Sequence, residues 1–109
     1  MWENLDYEKH QPSFDYTLSL ISGKWKLWII YHLSYHGVLR YNELHRLLGK
    51  VTHKTLSQTL KEMVSTGLVV RKEYMQVPPK VEYYLTNKGE SLFELMDLMC
   101  QWGTKNKPF

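Results

Sequence analysis

From Thr52 to Lys61 the chain carries Thr52, His53, Lys54, Thr55, Ser57, Gln58 and Lys61, side chains ending in hydroxyl, imidazole, amide or ammonium groups. A glutamine amide matches the edge of adenine, a lysine suits guanine or a phosphate, and Thr and Ser hydroxyls suit either. Leu56, Leu60, Met63 and Val64 recur among them at i, i+4, i+7 and i+8, so a helix here would bury these four. Its opposite face would then present Lys54, Gln58 and Lys61, with His53, Thr55 and Ser57 beside them. A second basic group, Arg71, Lys72 and Lys80, surrounds Pro78 and Pro79, and Arg40 and Lys24 are further candidates for phosphate contact. The carboxylates are scattered and none accompanies a paired nucleophile, which argues against an enzyme. The five histidines and the lone Cys100 have no zinc-ligand spacing, so no metal or other cofactor is expected.

Six segments would position these groups. Ser13, Phe14, Thr17, Leu18 and Ile21 predict a first helix over 13–21, ended by Ser22-Gly23. Residues 24–35 hold Trp25, Leu27, Trp28, Ile29, Ile30, Tyr31 and Leu33, apolar on nearly every side, and so predict a buried central helix. After a brief extended piece at 38–40, Asn42 is a plausible N-cap for a short leucine-striped helix over 42–48. A turn at 49–51 leads to the polar-faced helix, capped by Thr52 and closed by Gly67. Alternation from Val69 to Val77, the turn Pro78-Pro79-Lys80 and a return strand over 81–85 make a hairpin. A last helix over 86–105 carries a stripe of Leu92, Leu95, Met96, Met99 and Trp102, widened by Phe93, Leu98 and Cys100.

That order predicts an α+β, mostly α, winged helix-turn-helix: one domain over 1–109, with an N-terminal arm at 1–12. In this arrangement the second helix of the pair puts its N-terminal end into the DNA major groove, while the hairpin reaches the flanking minor groove or its phosphates. Charge agrees with this. Residues 40–80 hold eight Lys or Arg against three Asp or Glu, a local +5 within a chain of net charge +3. No run is apolar enough for a bilayer and the first residues do not resemble a signal peptide, so no membrane association and a cytoplasmic location are expected.

Several motifs together resemble the HxlR-type winged helix-turn-helix regulators, relatives of the MarR group. They are the runs from Tyr16 to Trp25, Leu39 to Leu44, Lys54 to Met63 and Gly67 to Arg71, and above all Val77-Pro78-Pro79-Lys80-Val81-Glu82-Tyr83-Tyr84-Leu85-Thr86, followed by Gly89 and Trp102-Gly103. The resemblance implies a homodimeric transcription regulator on a pseudo-palindromic operator in double-stranded DNA. It also implies dimerisation through the first and last helices, with Phe14, Leu18, Leu92, Leu95, Met96, Met99 and Trp102 in the seam. Many members look like redox or electrophile sensors, with a cysteine just before the first helix; this chain has Pro12 there, which excludes a thiol switch at that site. Cys100 reads first as a small buried filler, and alternatively as an interface thiol. Trp25, Trp28, Tyr31, Tyr83 and Trp102 read first as core, and alternatively as the lining of a pocket for a small-molecule effector. A rival to DNA binding is a winged-helix module that binds another protein, although the cationic face lacks the aromatic anchors of such surfaces.

Overall fold

The computed structural model describes residues 7–109. The first part of the expected arm, residues 1–6, lies outside the described residues. In chain order the elements are α1 (Tyr7–Ile21), α2 (Lys26–His36), β1 (Leu39–Arg40), α3 (Tyr41–Leu48), α4 (His53–Ser65), β2 (Val69–Tyr74), β3 (Lys80–Leu85), α5 (Asn87–Glu90) and α6 (Phe93–Asn106). The strands form one antiparallel sheet in the order β1-β3-β2, with Leu39 opposite Tyr83 and Val69 opposite Leu85. This is the mostly helical winged helix-turn-helix with a C-terminal helix that the sequence predicts.

The core is built where that sheet meets α2, α3 and α4. Ile29, Ile30 and Leu33 of α2, Leu44 of α3, and Leu56, Leu60 and Met63 of α4 are buried together with Leu68, Val69, Tyr83 and Leu85. Val64, expected in the apolar stripe of α4, lies at its margin and is exposed. Between α3 and α4, Gly49 takes a φ of 81°, which a side chain would oppose, and its N–H closes α3 on the His45 carbonyl at 3.0 Å. The turn therefore stays short enough to lay α4 across the front of the domain.

Several boundaries differ from expectation. α1 continues through Pro12 to Tyr7, so residues 7–12 are helical and not an arm. The missing proline N–H removes one helical bond, and Glu8, Lys9 and Gln11 before it are good helix formers. α3 is capped at Arg40 and not at Asn42: the Glu43 carboxylate accepts the Arg40 N–H at 2.8 Å, which places the cap two residues earlier than expected. β2 ends at Tyr74 because Met75, Gln76, Val77, Pro78 and Pro79 form the exposed tip of the hairpin.

The expected last helix is two helices. Thr86 caps α5, its hydroxyl accepting the Gly89 N–H at 3.0 Å and donating to the Gly67 carbonyl at 2.6 Å. Gly89 is buried against the Leu68 carbonyl so closely that a Cβ would overlap it. Ser91 and Leu92 form a turn that separates α5 from α6. Met96 faces inward and is buried in the protomer's own core, and Leu92 packs against it.

Candidate nucleic-acid interface

α4 presents its polar face as its periodicity requires. Thr52 caps it by accepting the Thr55 N–H at 3.1 Å, and His53, Lys54, Thr55, Ser57, Gln58 and Lys61 are all exposed. Among the described residues Lys54, Gln58 and Lys61 have no side-chain partner. Three donor-bearing side chains on a rigid, capped helix are thus free to bond something outside the molecule.

Two neighbours are already engaged. The Tyr41 hydroxyl lies 3.1 Å from His53 Nδ1, donates to the His53 carbonyl at 3.2 Å and lies 3.3 Å from Ser57 Oγ. His45 and His53 stack with ring centroids 4.2 Å apart and an interplanar angle of 8°. His45 Nε2 lies 2.9 Å from the Val51 carbonyl, which can only accept, so that nitrogen carries the proton. Tyr41, His45, His53 and Ser57 therefore tie the start of α4 to α3. Sequence reasoning missed this joint, because Tyr41 and Ser57 are far apart in the chain and only the fold brings them together.

A second tie fixes the back of α4. Lys26, buried at the first position of α2, reaches Glu62 Oε1 at 2.7 Å, with the two side chains 8% and 55% exposed. Lys26 went unremarked in a segment that reads as a continuous apolar helix. Its signal was a lysine set between Trp25 and Leu27, inside that run.

The wing cations do not form one group. Arg71 pairs in register with Tyr83, whose ring is buried, and bonds Glu73 at 3.2 Å; that hydrogen bond raises the guanidinium pKa further. Lys72, Lys80 and Arg40 belong to the opposite, outward face, since Lys72 and Arg40 both stand opposite Glu82 and Lys80 stands opposite Tyr74. The Tyr74 hydroxyl raises the pKa of Lys72 and, with Lys80 and Arg40 nearby, lowers that of Glu82. Lys24 is exposed, with its ammonium 4.9 Å from the Trp25 ring centroid, and it lines a groove with Met99 and Cys100 instead of joining α4.

Other expected sites separate in the same way. Phe14, Leu18, Met99 and Trp102 are exposed, at 65%, 40%, 51% and 69%, and Leu95 is half-buried. Cys100 is exposed, which overturns its reading as a buried filler: it lies one turn beyond Met96 on the same side of α6, where it lines an open groove with Met96 and Met99. The five aromatic residues do not share a pocket. Trp28 and Tyr31 line the groove beside Lys24, Tyr83 is in the core, and Trp25 and Trp102 are outside that groove. Among the described residues no group of three His, Cys, Asp or Glu could hold a metal, and no helix is long and apolar enough to cross a membrane.

Comparisons with known proteins agree with this geometry. The family model described as HxlR-like helix-turn-helix matches residues 20–108. An uncharacterised HTH-type transcriptional regulator of Halalkalibacterium halodurans is 55% identical over 94 residues, covering 86% of this chain and 83% of its own. YdzF of Bacillus subtilis, also an uncharacterised HTH-type transcriptional regulator, is 50% identical over 93 residues, covering 85% of each chain. Among solved structures, the redox regulator HypR in its reduced form superposes with a TM-score of 0.82 at 40% identity, over 88% of this chain and 94% of that one. The reduced transcriptional regulator YodB from B. subtilis gives 0.78 at 29% identity, over 89% and 94%. A capped helix with a free polar face, a basic wing and this degree of similarity have one explanation: the chain belongs to the HxlR-like helix-turn-helix family of transcriptional regulators, which act by binding DNA.

Proposed function

We propose that this regulator binds a pseudo-palindromic operator as a homodimer, with α4 of each protomer in successive major grooves and the wings on the flanking phosphates. The observation that carries the reading is the unpartnered set Lys54, Gln58 and Lys61 on a helix held at both its N-terminal end, through Tyr41, and its back, through Lys26. Gln58 reads a base edge, Lys54 a base or phosphate, and Lys61 the backbone, with Thr52, Thr55, His53 and Ser57 completing the contact. Arg40, Lys72 and Lys80 supply the flanking charge. The seam between protomers uses the apolar side chains left outside on α1 and α6, namely Phe14, Leu18, Leu95, Met99 and Trp102. Two-fold pairing through them sets the two α4 helices about 34 Å apart, one turn of DNA.

Fluorescence anisotropy with the DNA upstream of the protein's own gene and a scrambled duplex, at two salt concentrations, tests the reading. Salt-sensitive binding that favours the native fragment is expected. Weak and equal binding to both would sink it and would leave a surface for a protein partner.

A further inference from the structure

Glu82 lies within the wing motif, yet it is an acid on a face meant for phosphates. The pairing register puts Arg40 and Lys72 directly opposite it, on either side of β3. Lys80 Nζ approaches it to 3.4 Å, and the Tyr74 hydroxyl donates to it at 2.7 Å. Lys72 and Lys80 also hold their ammoniums 4.9 and 4.5 Å from the centroid of the Tyr74 ring. A guanidinium, two ammoniums and a phenol hydroxyl therefore surround one carboxylate, whose side chain is only 19% exposed. The same donors would suit a phosphodiester oxygen. The Tyr74 bond, followed by the Lys80 and Arg40 charges, holds this carboxyl below the usual range, so it is anionic at neutral pH.

We infer that Glu82 is an internal competitor for phosphate, which occupies the outward cations of the wing and so limits how tightly the protein holds DNA of any sequence. The inference rests on the DNA-binding reading above. A phosphate that takes over Lys72, Lys80 or Arg40 must share it with Glu82 or draw it away, so part of the counterion release those cations could drive is forgone. Because the competition involves only phosphate, its effect is the same on operator and on random DNA. A regulator restrained in this way spends less of its time on bulk DNA, while the bases read by α4 still set its preference.

The test is an anisotropy titration of the full-length protein on the native and scrambled duplexes across a salt series. Glu82→Gln keeps an oxygen that accepts from Tyr74 and removes only the charge. The expected result is a slope of log Kd against log salt that steepens by about one per protomer, so about two for the homodimer, on both duplexes. At 0.1 M salt Kd then falls about five- to tenfold per protomer on each, with their ratio unchanged. Glu82→Ala is the second variant and should show the same steepening. An unchanged slope in both variants overturns the inference, and so does a change confined to Glu82→Ala, which would be a packing effect. Absence of salt-dependent binding by the wild-type protein would remove the DNA reading and this one with it; wild-type binding with unaltered variants removes this one alone.

Discussion

Gln58 and Lys61 lie about a turn apart on one helix face, both free of partners, and they illustrate two kinds of contact. An amide that bonds a base edge contributes only at that base pair, whereas an ammonium on the backbone contributes wherever there is phosphate. Gln58→Ala should therefore cost roughly 1–3 kcal/mol per half-site on the operator and little on scrambled DNA, while Lys61→Ala should weaken both alike and reduce the salt slope by about one per protomer. Paired titrations of the two variants check this, and equal losses on both duplexes for Gln58→Ala would contradict its role. These residues were legible in the sequence because the buried leucines of α4 leave only one face for them. The restraint on His53 and Ser57 was not legible, since the hydroxyl that engages them belongs to Tyr41 on another helix. The wing cations were legible as charges, and the alternation from Val69 to Val77 already separates Arg71 from Lys72; the gathering of Arg40, Lys72 and Lys80 around Glu82 was not legible, because it depends on the register of three strands.

At the scale of elements, α2 acts as the frame on which α4 is mounted, and its polar groups should show in stability. Lys26 is buried while Glu62 is half in water, so the two halves of that pair are not equivalent. Glu62→Ala strands a buried ammonium and should cost about 1–2 kcal/mol, less than for a fully buried pair because solvent reaches one end. Lys26→Met leaves only a wet carboxylate and should cost under about 1 kcal/mol. Urea unfolding decides the order, and a larger loss for Lys26→Met would reverse the account. On the same helix, burial and then the neighbouring His36 lower the pKa of His32. The folded protein thus gives up that proton more readily than the unfolded chain does. Stability should fall as pH drops through the unfolded value of about 6.5, and His32→Gln should flatten this part of the thermal-stability profile. A profile unchanged by the substitution would rule His32 out as its source. The sequence indicated each helix and strand of the winged core by periodicity and turn residues. It did not show the break between α5 and α6, which depends on Gly89 lying against the Leu68 carbonyl, a contact between segments that no local pattern records.

For the whole molecule, the apolar surface on α1 and α6 needs a partner. Phe14, Leu98, Met99 and Trp102 are each more than half exposed, and a monomer rarely leaves such a group in water. A two-fold contact would cover them and join two reading helices, so that the second half-site is bound at a high effective concentration. Trp102→Glu puts a charge in that seam without touching the core, since the ring is 69% exposed. The variant should sediment as a monomer at concentrations where the wild type is a dimer, with its far-UV circular dichroism preserved. Its affinity for the operator should fall at least about a hundredfold, and the salt slope on that DNA should drop to roughly half, because one protomer neutralises half the phosphates. A variant that stays dimeric would move the seam away from Trp102. A wild-type chain that sediments as a monomer yet holds the operator at full affinity would assign the same surface to a different protein, because the exposed side chains would still lack a cover.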